Sequence, residues 1–501
     1  MKKGGDIQDT LEKYFHLTDF RPNQSEIIRE IISGRDVLAV MATGGGKSLC
    51  YQLPAVMLSG MTVVISPLIS LMKDQVDALS SQGVNVAMLN SSLSYDRRKA
   101  TESGIISGNI RILYVSPERA VQPDFVDLLQ KTEVSLFAVD EAHCISMWGH
   151  QFRPEYRRIK GLRAFFPNVP FAAFTATATK RVRDDIVSEL KLKDPAVFIG
   201  SFDRPNLHYS VCKEPHRTER LKKIAEYAGA HADESGIIYC FSRADTEELC
   251  SYLGKNRIVS LPYHAGMSAR DRAKIQELFT SNEVRVICAT VAFGMGIDKP
   301  DVRYVIHAHL PKDIESYYQE TGRAGRDGLP SECLMFYSAG DRAKMLHMMD
   351  ADAGESAVHL QNGRERLYQL YAFCESKECR RKLILDYFGE ASIDCGNCDN
   401  CQKKTARKEA SKKTPPHPEI EADILFAAGE MEGVLTTQEF VSFLMGAERL
   451  KTKTLGLNRH KCYGCAKLCK REDIEKLVNS LISSGKLRLR GKSVMKIYSG
   501  K

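Results

Sequence analysis

The sequence predicts an α/β protein of two parallel-sheet lobes, followed by a helical, cysteine-bearing subdomain and a helical domain that ends in a hairpin. Three observations predict it. Short β-branched or apolar runs alternate with polar helical stretches from Val37 to about Asp341, which is the pattern of parallel strands joined by crossover helices. Beyond Asp341 that pattern stops, and helical segments lead into CGNCDNC. From Ile420 apolar periodicity returns and closes in KLRLRGKSVMKIYSG, which alternates in period two about Gly491.

The strand runs of the first lobe are DVLAVM, MTVVISPL, RILYVSPE, LFAVDEAH and FAAFTATA; those of the second are GIIYCFS, VRVICAT and VRYVIHA. Each is too short for a buried helix and ends in residues with chemistry, as the carboxyl ends of parallel strands do. The intervening GSFDRPNLHYSV reads as an irregular, proline-containing connection. These signals divide the chain into lobe 1 (1–201), lobe 2 (202–341), the cysteine-bearing subdomain (342–402), a basic linker without apolar periodicity (403–418) and a winged helix (419–501).

With 501 residues, room for about three domains, and 43% hydrophobic content, the chain is neither a single small module nor a disordered one. A net charge of +8 leans toward a polyanionic partner, because Lys and Arg displace counterions from phosphates. No apolar run reaches the ~18 residues of a membrane span, and the start lacks a signal peptide's apolar stretch, so a cytosolic protein with no membrane partner is expected. The 15 cysteines are odd in number and mostly scattered through apolar segments, as reduced thiols are.

VLAVMATGGGKSLCYQLP runs from strand to glycine-rich turn to helix, the context of a phosphate loop. Thr43, Gly44, Gly45 and Gly46 would offer backbone amides to ATP phosphates, Lys47 would hold the β and γ groups, and Ser48 would ligate Mg2+. Met41 stands where the general pattern has its first glycine. Asp140 and Glu141 end a strand about 90 residues later; the first can hold magnesium and the second can take a proton from attacking water. Arg323 and Arg326, three apart in TGRAGRDG, would share a helical face. Across a cleft one or both could serve as arginine fingers, although the motif alone also suits an ordinary surface helix.

Cys395, Cys398 and Cys401 form CxxCxxC, and either Cys374 or Cys379 could complete four thiolates around structural Zn2+; the rival reading is redox chemistry. His460, Cys462, Cys465 and Cys469 have spacings compatible with a second metal, against a plain structural role, which is preferred. In CISMWGHQFRPEY, the aromatic residues Trp148, Phe152 and Tyr156 with His150 and Arg153 suit stacking on unpaired bases, with core packing as the alternative.

At FRPNQ, MATGGGKS, SPLISLMKDQ, SPER, DEAHCISMWGHQFRPEY, FTATAT, FDRPN, YCFSR, YHAGM, ATVAFGMGIDKPDVR and YYQETGRAGRDG the chain resembles the RecQ family of superfamily 2 DNA helicases. The resemblance implies two RecA-like lobes, Gln24 reading the adenine edge, Arg21 packing on the base, and an apolar cover at Leu17 where relatives often have tyrosine. It selects Cys379, in the string CRR, as the fourth zinc ligand. It makes His143 a relay between DNA contact and hydrolysis. It also implies 3′ to 5′ travel on single-stranded DNA, unwinding of duplex DNA in recombination, repair or replication, and a nucleoid or nuclear location. Arg488, Arg490, Lys492 and Lys496 of the winged helix would hold duplex. A monomer that could meet a single-strand-binding protein is expected, without the additional C-terminal helical domain of many relatives. The competing readings are an RNA helicase or non-separating translocase, and a non-catalytic DNA-binding protein.

Overall fold

The computed structural model describes residues 6–67, 69–90, 93–149, 152–291, 293, 299–351, 357–412, 418–491 and 495–500. It divides into two compact units, 1–402 and 403–501.

In the first unit, β1 (Val37–Val40), β2 (Met61–Ile65), β3 (Val86–Leu89), β4 (Ile112–Val115), β5 (Val134–Val139), β6 (Phe171–Thr175) and β7 (Ala196–Ile199) form a parallel sheet in the order β3-β4-β2-β5-β6-β1-β7. A second parallel sheet comprises β8 (Leu207–Lys213), β9 (Ser235–Tyr239), β10 (Ser260–Tyr263), β11 (Val286–Ala289), β12 (Val302–His307) and β13 (Ser331–Tyr337), in the order β10-β11-β9-β12-β13-β8. The central strands are continuous apolar runs because helices cover both faces. β5, β6 and β1 are neighbours, so the acid pair, the FTATAT segment and the phosphate loop emerge side by side at the carboxyl ends of the strands.

GSFDRPNLHYSV differs from the expected irregular connection. Its second half is β8, which pairs with β13 over its whole length; only Ser201–Asn206 is a connection. From there the helices Ala357–Glu375 and Arg380–Phe388 pack back on lobe 2. One apolar core runs from Leu38 through Phe202 and Tyr318 to Phe388 and Cys401, so lobes and cysteine-bearing subdomain share buried surface.

The helix Asp399–Lys412 carries into the stretch expected to be linker. Its Lys, Arg, Glu and Ala residues are good helix formers, so the stretch is helical without apolar periodicity, and residues 402–406 are exposed. In the second unit the helices Pro418–Glu430, Thr437–Leu444, Leu450–Thr454 and Arg471–Ser483 precede the antiparallel pair β14 (Leu487–Arg490) and β15 (Lys496–Ser499). Thr436 and Glu439 close a reciprocal capping box on the second helix. Ile424, Phe440, Phe443, Val478, Leu487 and Ile497 form the unit's core. Among the described residues no helix is long and apolar enough to cross a membrane.

Candidate active site and metal centre

The phosphate loop turns out of β1 on a hydrogen bond from Gly45 N to Ala42 O (2.9 Å) and enters the helix Lys47–Met57. Met41, at the position of the missing glycine, is buried in the lobe 1 core, while its carbonyl accepts from Lys47 Nζ at 3.3 Å. The departure is thus absorbed by packing. Gln24 receives Arg21 N (2.8 Å) at its carbonyl oxygen and donates its amide to Gly46 O (3.1 Å); Arg21 donates to Gly44 O. The structure therefore joins Arg21 and Gln24 to the phosphate loop. Leu17 stands exposed in the loop before them. Gly46 has φ of +78°, and a Cβ there would overlap the Gln24 amide. Gly46→Ala adds left-handed strain of ~1–2 kcal/mol to that overlap, and is expected to weaken ADP binding by about tenfold; a fluorescent-nucleotide titration with unchanged affinity would contradict it.

Asp140 is buried, with Oδ1 accepting from Glu141 N at 2.9 Å. Burial pushes its carboxyl up to about 7, the Glu141 carboxylate adds to the rise, and Lys47 opposes it. Burial likewise holds the Lys47 ammonium below the usual lysine value, against the pull of Glu141 and Asp140, while Arg326 lowers it further. Glu141 itself sits at φ +47°, left-handed, a conformation that costs a non-glycine residue about 1–2 kcal/mol and is characteristic of functional turns. The buried Asp140 and half-buried Glu141 beside the half-buried Lys47 ammonium suit a divalent cation and a polyphosphate, since each neutralises charge that the protein alone leaves unbalanced. Ser48 lies in the first turn of the phosphate-loop helix.

The two arginines part company. Arg323 is buried beside Tyr239 within lobe 2, whereas Arg326 crosses to lobe 1: a Cβ on Gly44 would lie 3.4 Å from Arg326 Cγ. Of the two, it is Arg326 that lies against the phosphate loop. Lobe 2 also reaches lobe 1 through Gln319, which donates to Thr177 Oγ1 at 3.0 Å.

His143, which the resemblance makes a relay between DNA contact and hydrolysis, is 1% exposed. Its Nδ1 lies 2.9 Å from Thr175 Oγ1 and 3.3 Å from Glu141 Oε2, and Thr175 Oγ1 donates to Thr177 O at 3.1 Å. A polar path thus runs from the acid pair through His143, Thr175 and Thr177 to Gln319. FTATAT and QETGRAGR carried these partners in the sequence, but their pairing was not legible there.

Tyr156 is a core residue, fully buried with its hydroxyl donating to Asp140 O at 3.0 Å, and is not a stacking surface for bases. Trp148 and Phe152 remain partly exposed. The Arg181 guanidinium lies 3.0 Å from the Trp148 ring centroid and Arg157 lies 5.3 Å from that of Phe152. Arg153 donates to Pro67 O at 3.3 Å. Trp148 O accepts from Arg366 at 3.2 Å, tying the loop to the cysteine-bearing subdomain. His150 and Lys492 lie outside the described residues. Arg488 and Arg490 alternate with the inward-facing Leu487 and Leu489 on β14 and are exposed.

Cys379, Cys395, Cys398 and Cys401 place their sulfurs within 4.8 Å of one another. Tetrahedral Zn–S bonds of ~2.3 Å put sulfurs about 3.8 Å apart, and Cys379 and Cys398 stand at 3.9 Å. Amides of Lys382 and Cys395 point at Cys379 Sγ (3.5 and 3.2 Å), and Arg380 N at Cys398 Sγ (3.3 Å), as thiolates require. The donor set therefore fits zinc. Cys374 is packed in the core outside this group, and among the described residues no other set, including His460, Cys462, Cys465 and Cys469, gathers in this way.

Three family profiles match: DEAD/DEAH box helicase over residues 21–186, helicase conserved C-terminal domain over 217–328, and RecQ zinc-binding over 339–402. An ATP-dependent DNA helicase RecQ of Pasteurella multocida is 45% identical over 78% of this chain, which spans 62% of that relative's length. The protein of the same name from Bacillus subtilis is 38% identical over 96% of this chain and 80% of its own, and ATP-dependent DNA helicase Q1 of Rattus norvegicus is 38% identical over 95% and 76%. Among solved structures, S. cerevisiae Dbp5 bound to RNA and ADP BeF3 superposes with a TM-score of 0.58 at 15% identity over 82% of this chain and 97% of its own; this likeness concerns the fold of the two RecA-like lobes. With the motor residues of both lobes gathered at one cleft and four cysteines at zinc spacing beside them, the chain belongs to the RecQ family of superfamily 2 helicases.

Proposed function

We propose that this chain is an ATP-dependent DNA helicase that travels 3′ to 5′ on single-stranded DNA and unwinds duplex in recombination, repair or replication. The approach of Arg326 to Gly44, beside Lys47 and the acid pair, carries this reading, because it makes hydrolysis depend on both lobes. Adenine would lie against Arg21 and Gln24 under Leu17, with Thr43, Gly44, Gly45, Gly46 and Lys47 around the phosphates. Ser48 and Asp140 would hold Mg2+, which supplies neutralisation of the phosphate oxygens when bound. Glu141 would orient and deprotonate the attacking water. Trp148, Phe152 and Arg153 would meet unpaired bases, and His143 would report that contact to Glu141.

The helices and β14–β15 pair of the second unit would form a winged helix, on which Arg488, Arg490 and Lys496 would hold duplex. Each base-pair step to be opened carries about 1.4 kcal/mol of stacking, so the nucleotide cycle has work to do that passive binding does not. The proposed setting is the nucleoid or nucleus, as a monomer that could cooperate with a single-strand-binding protein.

The deciding experiment is ATP hydrolysis with and without single-stranded DNA, using wild type and Lys47→Ala. DNA is expected to stimulate the wild type, and the variant to retain at most about 1% of the stimulated rate. Equal rates would refute the proposed engine. A forked-DNA unwinding assay, with an RNA fork alongside, separates a DNA helicase from an RNA helicase or a translocase.

A further inference from the structure

The residue that organises the finger-bearing turn is neither in the phosphate loop nor in the arginine motif. Arg204, in the connection between the lobes, sends its guanidinium to four main-chain carbonyls: Ala324 O (2.8 Å), Gly325 O (2.9 Å), Gly322 O (3.3 Å) and Thr43 O (3.5 Å). Three of these belong to the turn that carries Arg323 and Arg326, and the fourth to the phosphate loop. Asn206 reinforces the same turn, donating to Gly325 O and Leu329 O at 2.9 Å each. Gly325 is left-handed (φ +55°), and a Cβ there would overlap the Asn206 amide, so the turn is shaped to receive these donors.

The connection is itself held on both sides of Arg204. Arg381 donates to Pro205 O (3.1 Å) and Leu207 O (2.8 Å) and pairs with Asp203 at 3.4 Å. Glu390 accepts from Ser201 Oγ (2.6 Å) and Phe202 N (2.7 Å). The Phe202 ring stacks on Phe388 at 4.4 Å and 8°. Arg204 therefore projects from a fixed base. A planar fork with five donors can satisfy several carbonyls at once, which the three donors of a lysine point charge cannot do in the same geometry.

We propose that Arg204 is a positioning residue for hydrolysis: by binding carbonyls of both lobes it sets Arg326 against the phosphate loop, without itself touching ATP. This rests on the assignment of Arg326 as the finger. Misplacing a catalytic group by about 1 Å costs ~10²-fold in rate, which sets the size of the effect.

The test is a cycle of Arg204→Ala, Arg326→Ala and the double variant in the full chain, with ATP hydrolysis measured at saturating single-stranded DNA. Arg204→Ala is expected to lower kcat by about 10²-fold, while KM for ATP and affinity for a fluorescent ADP stay within about threefold. The double variant should be no slower than Arg326→Ala within about threefold, because Arg204 acts only through the finger. Millimolar guanidinium should restore part of the Arg204→Ala rate and leave the wild type unaffected. If Arg204→Ala lacks the wild-type melting transition, Arg204→Lys replaces it in the same cycle. A wild-type rate in either variant, multiplying losses in the double variant, or a fall in ADP affinity matching that in kcat overturns the proposal. The first of these, with the wild type active, leaves the helicase reading standing; an inactive wild type overturns both.

Discussion

Replacing Arg326 by alanine is expected to lower DNA-stimulated ATP hydrolysis by about 10³-fold or more while leaving ADP binding nearly intact, since an arginine finger contributes ~10³–10⁵ in rate. The expectation follows from where the side chain lies. Its stem packs over Gly44, and its charge bears on Lys47, where positive charge would face the γ phosphate. ADP lacks that group, so its affinity should change little. Arg323→Ala serves as the contrast. That side chain is buried beside Tyr239 inside lobe 2, so its loss should lower the melting temperature as well as the rate, whereas Arg326→Ala should melt like wild type. Parallel hydrolysis, ADP titration and thermal melts check this, and a fully active Arg326→Ala would exclude it as the finger.

Removal of zinc should have an effect of comparable size on the fold. Structural zinc sites carry apparent binding free energies of about 10–16 kcal/mol, as large as the ~5–15 kcal/mol stability of a typical domain. Chelation, or Cys398→Ser, is expected to expose the segment 376–402 to protease, to release one zinc per chain, and to abolish hydrolysis, because Arg381 and Glu390 then lose their hold on the connection at Ser201–Leu207. Metal stoichiometry, thiol titration and limited proteolysis provide the readouts. A chelated protein that kept its protease resistance would show the cluster to be dispensable.

Strand ends with chemistry were legible in the sequence because the central strands are buried on both faces and read as unbroken apolar runs. β3, β7, β8 and β10 were not, and all four are sheet edges. Their burial alternates or is partial: Val86–Met88 are half-buried, and Val197 and Ile199 on β7 are exposed. β13 is internal, but Glu332 and Leu334 interrupt its buried run. The phosphate loop, acid pair and CxxCxxC cysteines were legible for another reason, since their spacing constrains the chemistry, whereas the choice of Cys379 over Cys374 came from the family resemblance. Arg204 had no such signature: its partners are backbone carbonyls, which any residue supplies. Tyr156 misled because an aromatic ring that fills a core and one that stacks on a base look alike in sequence. The burial of His143 was not readable either.

The clamps on Phe202, Asp203, Pro205 and Leu207 decide where the protein can bend. A segment gripped at both ends by the zinc-bearing subdomain and stacked on Phe388 cannot act as the pivot between the lobes. That leaves Gly200, which bonds back to Val40 O at 2.8 Å, as the last residue of lobe 1 before the grip begins. Lobe 2 and the zinc region would then swing as one stiff lever about this point, with no slack in the connection to absorb the closure.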